Sequence, residues 1–318
     1  MKYKVRYENP TTQYIPIEAN IPTMNQEIMI LQFPAWRPGR YELGNFARNI
    51  HGFHVLNDDG KKLEFRKVSK DRWEVWTHGS KEIQVRYKYY AAELNAGSSY
   101  MDDRQLYINP VNCLVYDPNR QSNPCSLEIE IPDSFEIACG ATVGNNTLLC
   151  EDYHELVDSP FIASNQLQHK TFNVMGVEFY IWVLGDMEMN WDKVIEDFTA
   201  YTRVQFEKFG DSRKGESGFP VKEYHYLFQF PSVKAYHGVE HQTGTVIALG
   251  PASDIMDKMY DEFLHISSHE LYHTWNVKQI RPLEMHPYDY SKENYTYLGY
   301  LDEGVTTYMG DKFLYSSK

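Results

Sequence analysis

Two histidines at positions i and i+4, in His269-Glu270-Leu271-Tyr272-His273, constrain this chain most tightly. On a helix those positions lie one above the other, so both imidazoles leave one face and can bind a single ion. Glu270 follows the first histidine directly. It therefore stands beside such an ion rather than on it, where a carboxylate can take a proton from water activated by a metal. A catalytic zinc takes three protein ligands and keeps one position open. In Leu301-Asp302-Glu303-Gly304, on what reads as a second helix, Glu303 is the natural third ligand. Glu293 is a competing acid that spacing does not exclude. His265 lies a full turn before His269 and is too far away to join the same tetrahedron.

The setting of the pentapeptide supports a helix. The window from Ser253 to Val277 carries Ile255, Met259, Phe263, Ile266, Leu271 and Trp275 without Gly or Pro, which predicts one long helix capped at Ser253 or Asp254. Trp191 to Phe209 has a similar spacing and stops before Gly210. The segments 27–33, 73–76, 83–90 and 127–131 instead alternate apolar and polar residues between turn formers, which predicts strands. A hairpin is expected at Asn57-Asp58-Asp59-Gly60. Further strands are read at 172–184, 224–230 and 245–249, with polar loops at Ser212 to Gly218 and through Tyr236-His237-Gly238.

These readings add up to an α+β chain. Residues 1–156 form an antiparallel β-sandwich-like domain, and residues 157–318 form a catalytic domain with the metal between two lobes. The length, with 42% hydrophobic and 24% charged residues, suits two globular domains.

Several function classes are excluded. A net charge of −13 argues against a nucleic-acid backbone as partner, which requires clustered Lys and Arg. No apolar run is long enough for a membrane span. The N-terminus lacks the apolar core of a secretion signal, so a cytoplasmic location is expected, or a periplasmic or secreted one if a signal was removed. Cys113, Cys125, Cys139 and Cys150 lack C-x-x-C spacing and are expected to stay reduced.

The run 269–282, followed by Glu293-Asn294-Tyr295-Thr296 and 302–308, closely resembles the M61 glycyl aminopeptidase family of zinc peptidases. Upstream, Pro34-Ala35-Trp36-Arg37-Pro38-Gly39-Arg40-Tyr41 with 45–49 looks like that family's N-terminal β domain, and Gly238-Val239-Glu240-His241 like its Gly-x-Glu-His motif. The resemblance implies a thermolysin-like catalytic domain in which His269, His273 and Glu303 bind zinc and Glu270 is the general base. It also implies that Glu240, with Gly238, binds the substrate, and that the carboxylate takes the protonated α-amine of a peptide with a free N-terminus. Cleavage would then follow small first residues, glycine or alanine.

The family continues beyond the point where this chain stops, through more helices and usually a PDZ-like domain. Its Gly-Gly before the Glu stands here as His237-Gly238. The oxyanion donor is open, with Tyr236 and His241 as candidates. Two other functions compete with the aminopeptidase: a non-catalytic peptide-binding protein and a zinc endopeptidase.

Overall fold

The structure is a computed structural model describing residues 1–40, 42–210 and 218–318. Tyr41 of the upstream motif and residues 212–217 of the expected polar loop lie outside the described residues. The first part contains β1 (Lys2–Arg6), β2 (Tyr14–Pro22), β3 (Ile28–Gln32), β4 (Ile50–Leu56), β5 (Phe65–Lys67), β6 (Arg72–Trp76) and β7 (Glu82–Tyr90). It continues with β8 (Tyr100–Met101), β9 (Gln105–Ile108), β10 (Cys125–Glu130), β11 (Glu136–Cys139), β12 (Val143–Gly144), β13 (Thr147–Cys150), α1 (Tyr153–Val157) and β14 (Phe161–Ser164). The sheet orders are β12-β13-β10-β1-β2-β7-β4, β11-β14-β9-β8 and β3-β6-β5.

Alternation drives this part. In β7, Ile83, Val85, Tyr87 and Tyr89 point into the core while every other residue faces outward or is half-buried. The expected turn at Asn57 forms, with the Asn57 N–H donating to the Lys61 carbonyl at 2.8 Å. Its two flanks then diverge, because β4 pairs with β7 whereas β5 pairs with β6 in another sheet. The four cysteines are free and buried, and burial pushes the Cys139 and Cys150 thiols up to about 12, so they stay inert thiols.

The second part is a single five-stranded sheet carrying helices. It holds β15 (Gln168–Val174), β16 (Val177–Gly185), α2 (Trp191–Phe209), β17 (Glu223–Phe230), β18 (Ala235–His241), β19 (Gly244–Gly250), α3 (Tyr260–Tyr272) and α4 (Thr306–Ser317). The order is β15-β16-β17-β19-β18. What reads as one strand over 172–184 is a hairpin, turned at Met175 and Gly176 with φ of 50° and 84°. Tyr236 to Gly238, expected in a loop, lie within the edge strand β18, where Gly238 pairs with Ile247 and Glu240 with Thr245. Their polar and glycine-rich composition hides a strand that has a partner on one side only.

The sheet is covered on both faces. Tyr224, Tyr226 and Phe228 pack with Phe198 and Phe263 of the helices in one core. On the other face Trp182, Leu227, Val246 and Ala248 meet Tyr107, Ala138 and Ile162 of the first part. A central strand buried on both faces reads as a continuous apolar run, which is how Tyr224 to Phe230 looks. No helix among the described residues is long and apolar enough to cross a membrane.

Candidate metal and peptide site

The helix that carries the histidines is shorter than its apolar periodicity predicts. Ala252–Asp254 is a 3-10 turn, and the Asp254 carbonyl accepts from the Asp257 and Met259 N–H groups, so α3 begins only at Tyr260. Asp261 and Glu262 occupy its first turn, where carboxylates complement the helix dipole. His273 is the C-cap, still with helical dihedrals, so both imidazoles remain on one face. Their Nε2 atoms lie 3.0 Å apart, and each lies 3.6 Å from Glu303 Oε2.

Glu303 arrives on a π-turn, Tyr300–Val305, that runs into α4. Such turns occur mostly at functional sites and leave backbone carbonyls to be satisfied elsewhere. Asn276 does this. Its Nδ2 donates to the Leu301 and Asp302 carbonyls at 2.9 and 3.2 Å and to Thr306 Oγ1 at 2.9 Å, while its own carbonyl lies 2.9 Å from His273 Nδ1. The Nδ1 proton therefore points at Asn276 and leaves Nε2 turned toward Glu303. Asn276 was missed from sequence; its only signal was its place three residues after His273. At Gly310 a Cβ would lie 3.1 Å from His269 Cα, so only glycine lets α4 press this closely on α3.

The donors fit a metal. Ligand atoms about 2.0–2.2 Å from a tetrahedral zinc lie about 3.3 Å from one another, a spacing that 3.0 and 3.6 Å straddle. A metal would replace the proton that the two Nε2 atoms, 3.0 Å apart, can otherwise share. Glu293 is not part of this group; the converging atoms belong to His269, His273 and Glu303.

Glu270 is buried beside them. A Cβ on Gly238 would sit 1.9 Å from its Oε1, so the glycine of β18 makes the room the carboxylate occupies. Burial pushes Glu270 up to about 7; the imidazoles of His273 and His269 oppose that shift and Glu240 and Glu303 reinforce it. Burial disfavours the charged form of His273, but the hydrogen bond it donates to Glu303 and the charges of Glu240 and Glu270 carry it up to about 9. The site holds more negative charge than it balances.

Glu240 belongs to the same cluster: donor atoms of Glu240, Glu270 and His273 all lie within 4.8 Å of one another. Its side chain is buried, and no ion pair or hydrogen bond reaches it among the described residues. A cavity of about 100 Å³ opens between Glu240 and Glu303, walled by Trp36, Gly39 and Tyr288.

The remaining candidates sit elsewhere. His241 turns away: its Nδ1 lies 3.0 Å from Asp158 Oδ1, and the same carboxylate receives the Lys278 amine at 2.9 and 3.0 Å and the Gln242 N–H at 2.9 Å. Tyr236 is largely exposed. His265 pairs with Asp311 at 2.6 Å on the surface, apart from the ligand set. Trp275 stacks on Phe209 at 4.4 Å and anchors the end of α3.

Residues 2–165 match the peptidase M61 N-terminal domain, and residues 262–318 match the M61 glycyl aminopeptidase domain. No curated protein matches the chain. Among solved structures, an aminopeptidase N family protein from Idiomarina loihiensis superposes with a TM-score of 0.90 at 24% identity, over 99% of this chain and 54% of that one. The chain thus spans about half the length of that relative. An M1 zinc metallopeptidase from Deinococcus radiodurans gives a TM-score of 0.48 at 13% identity, over 87% of this chain and 63% of that one. The two matched domains are those of a peptidase family. The chain belongs to the M61 peptidase family, whose N-terminal domain alone accounts for more than half of it.

Proposed function

We propose that the chain is a zinc-dependent aminopeptidase acting on peptides with a free N-terminus. The carrying observation is the convergence of His269 Nε2, His273 Nε2 and Glu303 Oε2, with the buried Glu270 alongside. In this reading residues 1–156 are the β domain and residues 157–318 the catalytic domain. Zinc, when bound by the three ligands, supplies Lewis acidity toward a water and a peptide carbonyl oxygen.

The chain's own groups do the rest. Glu270 takes the proton of the attacking water and returns it to the leaving amine, a task suited to a carboxylate that burial brings near neutrality. Asn276 holds His273 in the tautomer that presents Nε2. Glu240 receives the substrate's α-ammonium, which would give its buried carboxylate a direct ion-pair partner, and so places the first peptide bond over the site. The cavity of about 100 Å³ beside it suits a small first side chain. The open edge of β18, with Gly238 on it, offers backbone groups along which an extended peptide can lie.

The test is hydrolysis of glycyl and alanyl anilides against their N-acetylated forms, with and without a chelator. Turnover of the free-amine substrates that the chelator removes supports the proposal. Equal turnover of blocked peptides would make the protein an endopeptidase, and binding without turnover a peptide receptor.

A further inference from the structure

Arg37 comes from the first part of the chain, yet its guanidinium is buried at the candidate site with 2% of its surface exposed. Its Nη1 donates to the Pro38 carbonyl at 2.8 Å, and its Nε has no partner. A buried guanidinium with so few hydrogen bonds is costly unless a carboxylate offsets its charge. Burial indeed lowers its affinity for a proton, and Glu240 is the chief group opposing that, ahead of Tyr107 and Glu270, with Arg40 acting the other way.

Two glycines shape the space around the guanidinium and between it and Glu240. A Cβ on Gly97 would lie 2.1 Å from Arg37 Nη2, so the guanidinium lies flat on that backbone. Gly39, at φ +67°, fits between the partners: its Cβ would lie 2.8 Å from Glu240 Oε2 and 3.4 Å from Arg37 Nη1.

We infer that Arg37 is a positioning residue for Glu240, so that the N-terminal part of the chain sets the orientation of the carboxylate that takes a substrate's α-ammonium. The inference rests on the reading of Glu240 given above. Glu240 sits beside Glu270 and His273, where neighbouring carboxylates repel it. The buried cation of Arg37, across Gly39, offsets that repulsion. Arg37 has no contact with the metal ligands to perform and acts through Glu240 alone.

The experiment is titration calorimetry of glycinamide and N-acetylglycinamide on the zinc-loaded protein, comparing wild type, Glu240→Gln, Arg37→Met and the double variant. The readout is the preference for the free amine. Arg37→Met lowers that preference about threefold, as expected when one nearby but non-contacting charge is removed, and adds nothing in the Glu240→Gln background. If Arg37→Met does not fold, Arg37→Lys carries the same test, with a smaller loss that likewise vanishes in that background.

An Arg37 that merely supports the fold would weaken both probes alike and add its loss to that of Glu240→Gln, which overturns the inference. A preference unchanged in Arg37→Met overturns it while leaving Glu240's role intact. A preference unchanged in Glu240→Gln removes the amine-binding reading itself, and the inference with it.

Discussion

Two buried ionic clusters lie within a few residues of each other in sequence and differ in kind. Asp158 accepts from His241, Lys278 and the Gln242 backbone, so each oxygen of its carboxylate has partners. One residue before His241 stands Glu240, and five before Lys278 stands His273; these belong to the other cluster, which gathers Glu240, Glu270 and Glu303 around two imidazoles. The first cluster is closed around its carboxylate, with His241 Nε2 left without a partner. Its partners hold Asp158 well below the usual carboxylate range even though burial pulls the other way. The second is open: burial, with neighbouring carboxylates, raises Glu270 to about 7, and those carboxylates carry His273 to about 9. A closed cluster fixes the junction between the two parts of the chain; an open one leaves charge for a metal and a substrate to complete.

The contrast can be broken most sharply at Glu270. Glu270→Gln is expected to lower hydrolysis by about 10²–10⁴-fold, the range for a lost general base. The same variant removes an ionisation that the fold disfavours, so the metal-free protein should melt at a higher temperature at pH 8. A lower melting temperature would mean that the open cluster is a stabilising one after all.

Gly238→Ala should cost about 100-fold in turnover, as expected for a catalytic group displaced by about 1 Å, because the new Cβ overlaps the position of Oε1. Zinc content should be unchanged, and loss of zinc would place the defect at the ligands instead.

Asp158→Ala works in the opposite sense to Glu270→Gln. It strands Lys278, only 5% exposed, and should destabilise the protein by about 3 kcal/mol in chemical unfolding. Asp158 is depressed in the fold, so its contribution is complete above the ordinary carboxylate range and lost as the pH falls through about 4 and below. The difference between wild type and variant should shrink in acid; a constant difference from pH 7 to 3 would show that the carboxylate's charge is not what matters.

His265→Ala should have the smallest effect. Its pair with Asp311 is about half exposed on both sides, and a surface pair is worth about 0–1 kcal/mol. Zinc content should stay constant in that variant, and a loss would mean that His265 supports the ligands.

The fold was legible in the sequence where periodicity was uninterrupted. Trp191 to Phe209 forms the helix its spacing predicts, capped by Asn190 and stopped at Gly210. The start of α3 was not legible, because the apolar residues Ile255 and Met259 continue the helical spacing through what is a turn built on the Asp254 carbonyl. The pairing of His269 with His273 follows from helix geometry, whereas spacing left Glu293 open beside Glu303 and the resemblance to the family favoured Glu303, whose carboxylate is the one that converges. The π-turn and the role of Asn276 could not, because both depend on carbonyls released in tertiary contact. Nor could Arg37 and Gly39 be linked to Glu240 by any local pattern, being some two hundred residues away in the chain.

The most direct test of the whole account is the zinc content of the purified chain beside that of Glu303→Ala and Glu270→Gln. The account predicts about one zinc per chain in the wild type and in Glu270→Gln, and its loss in Glu303→Ala. Full zinc in Glu303→Ala, or none in the wild type after zinc loading, would contradict it.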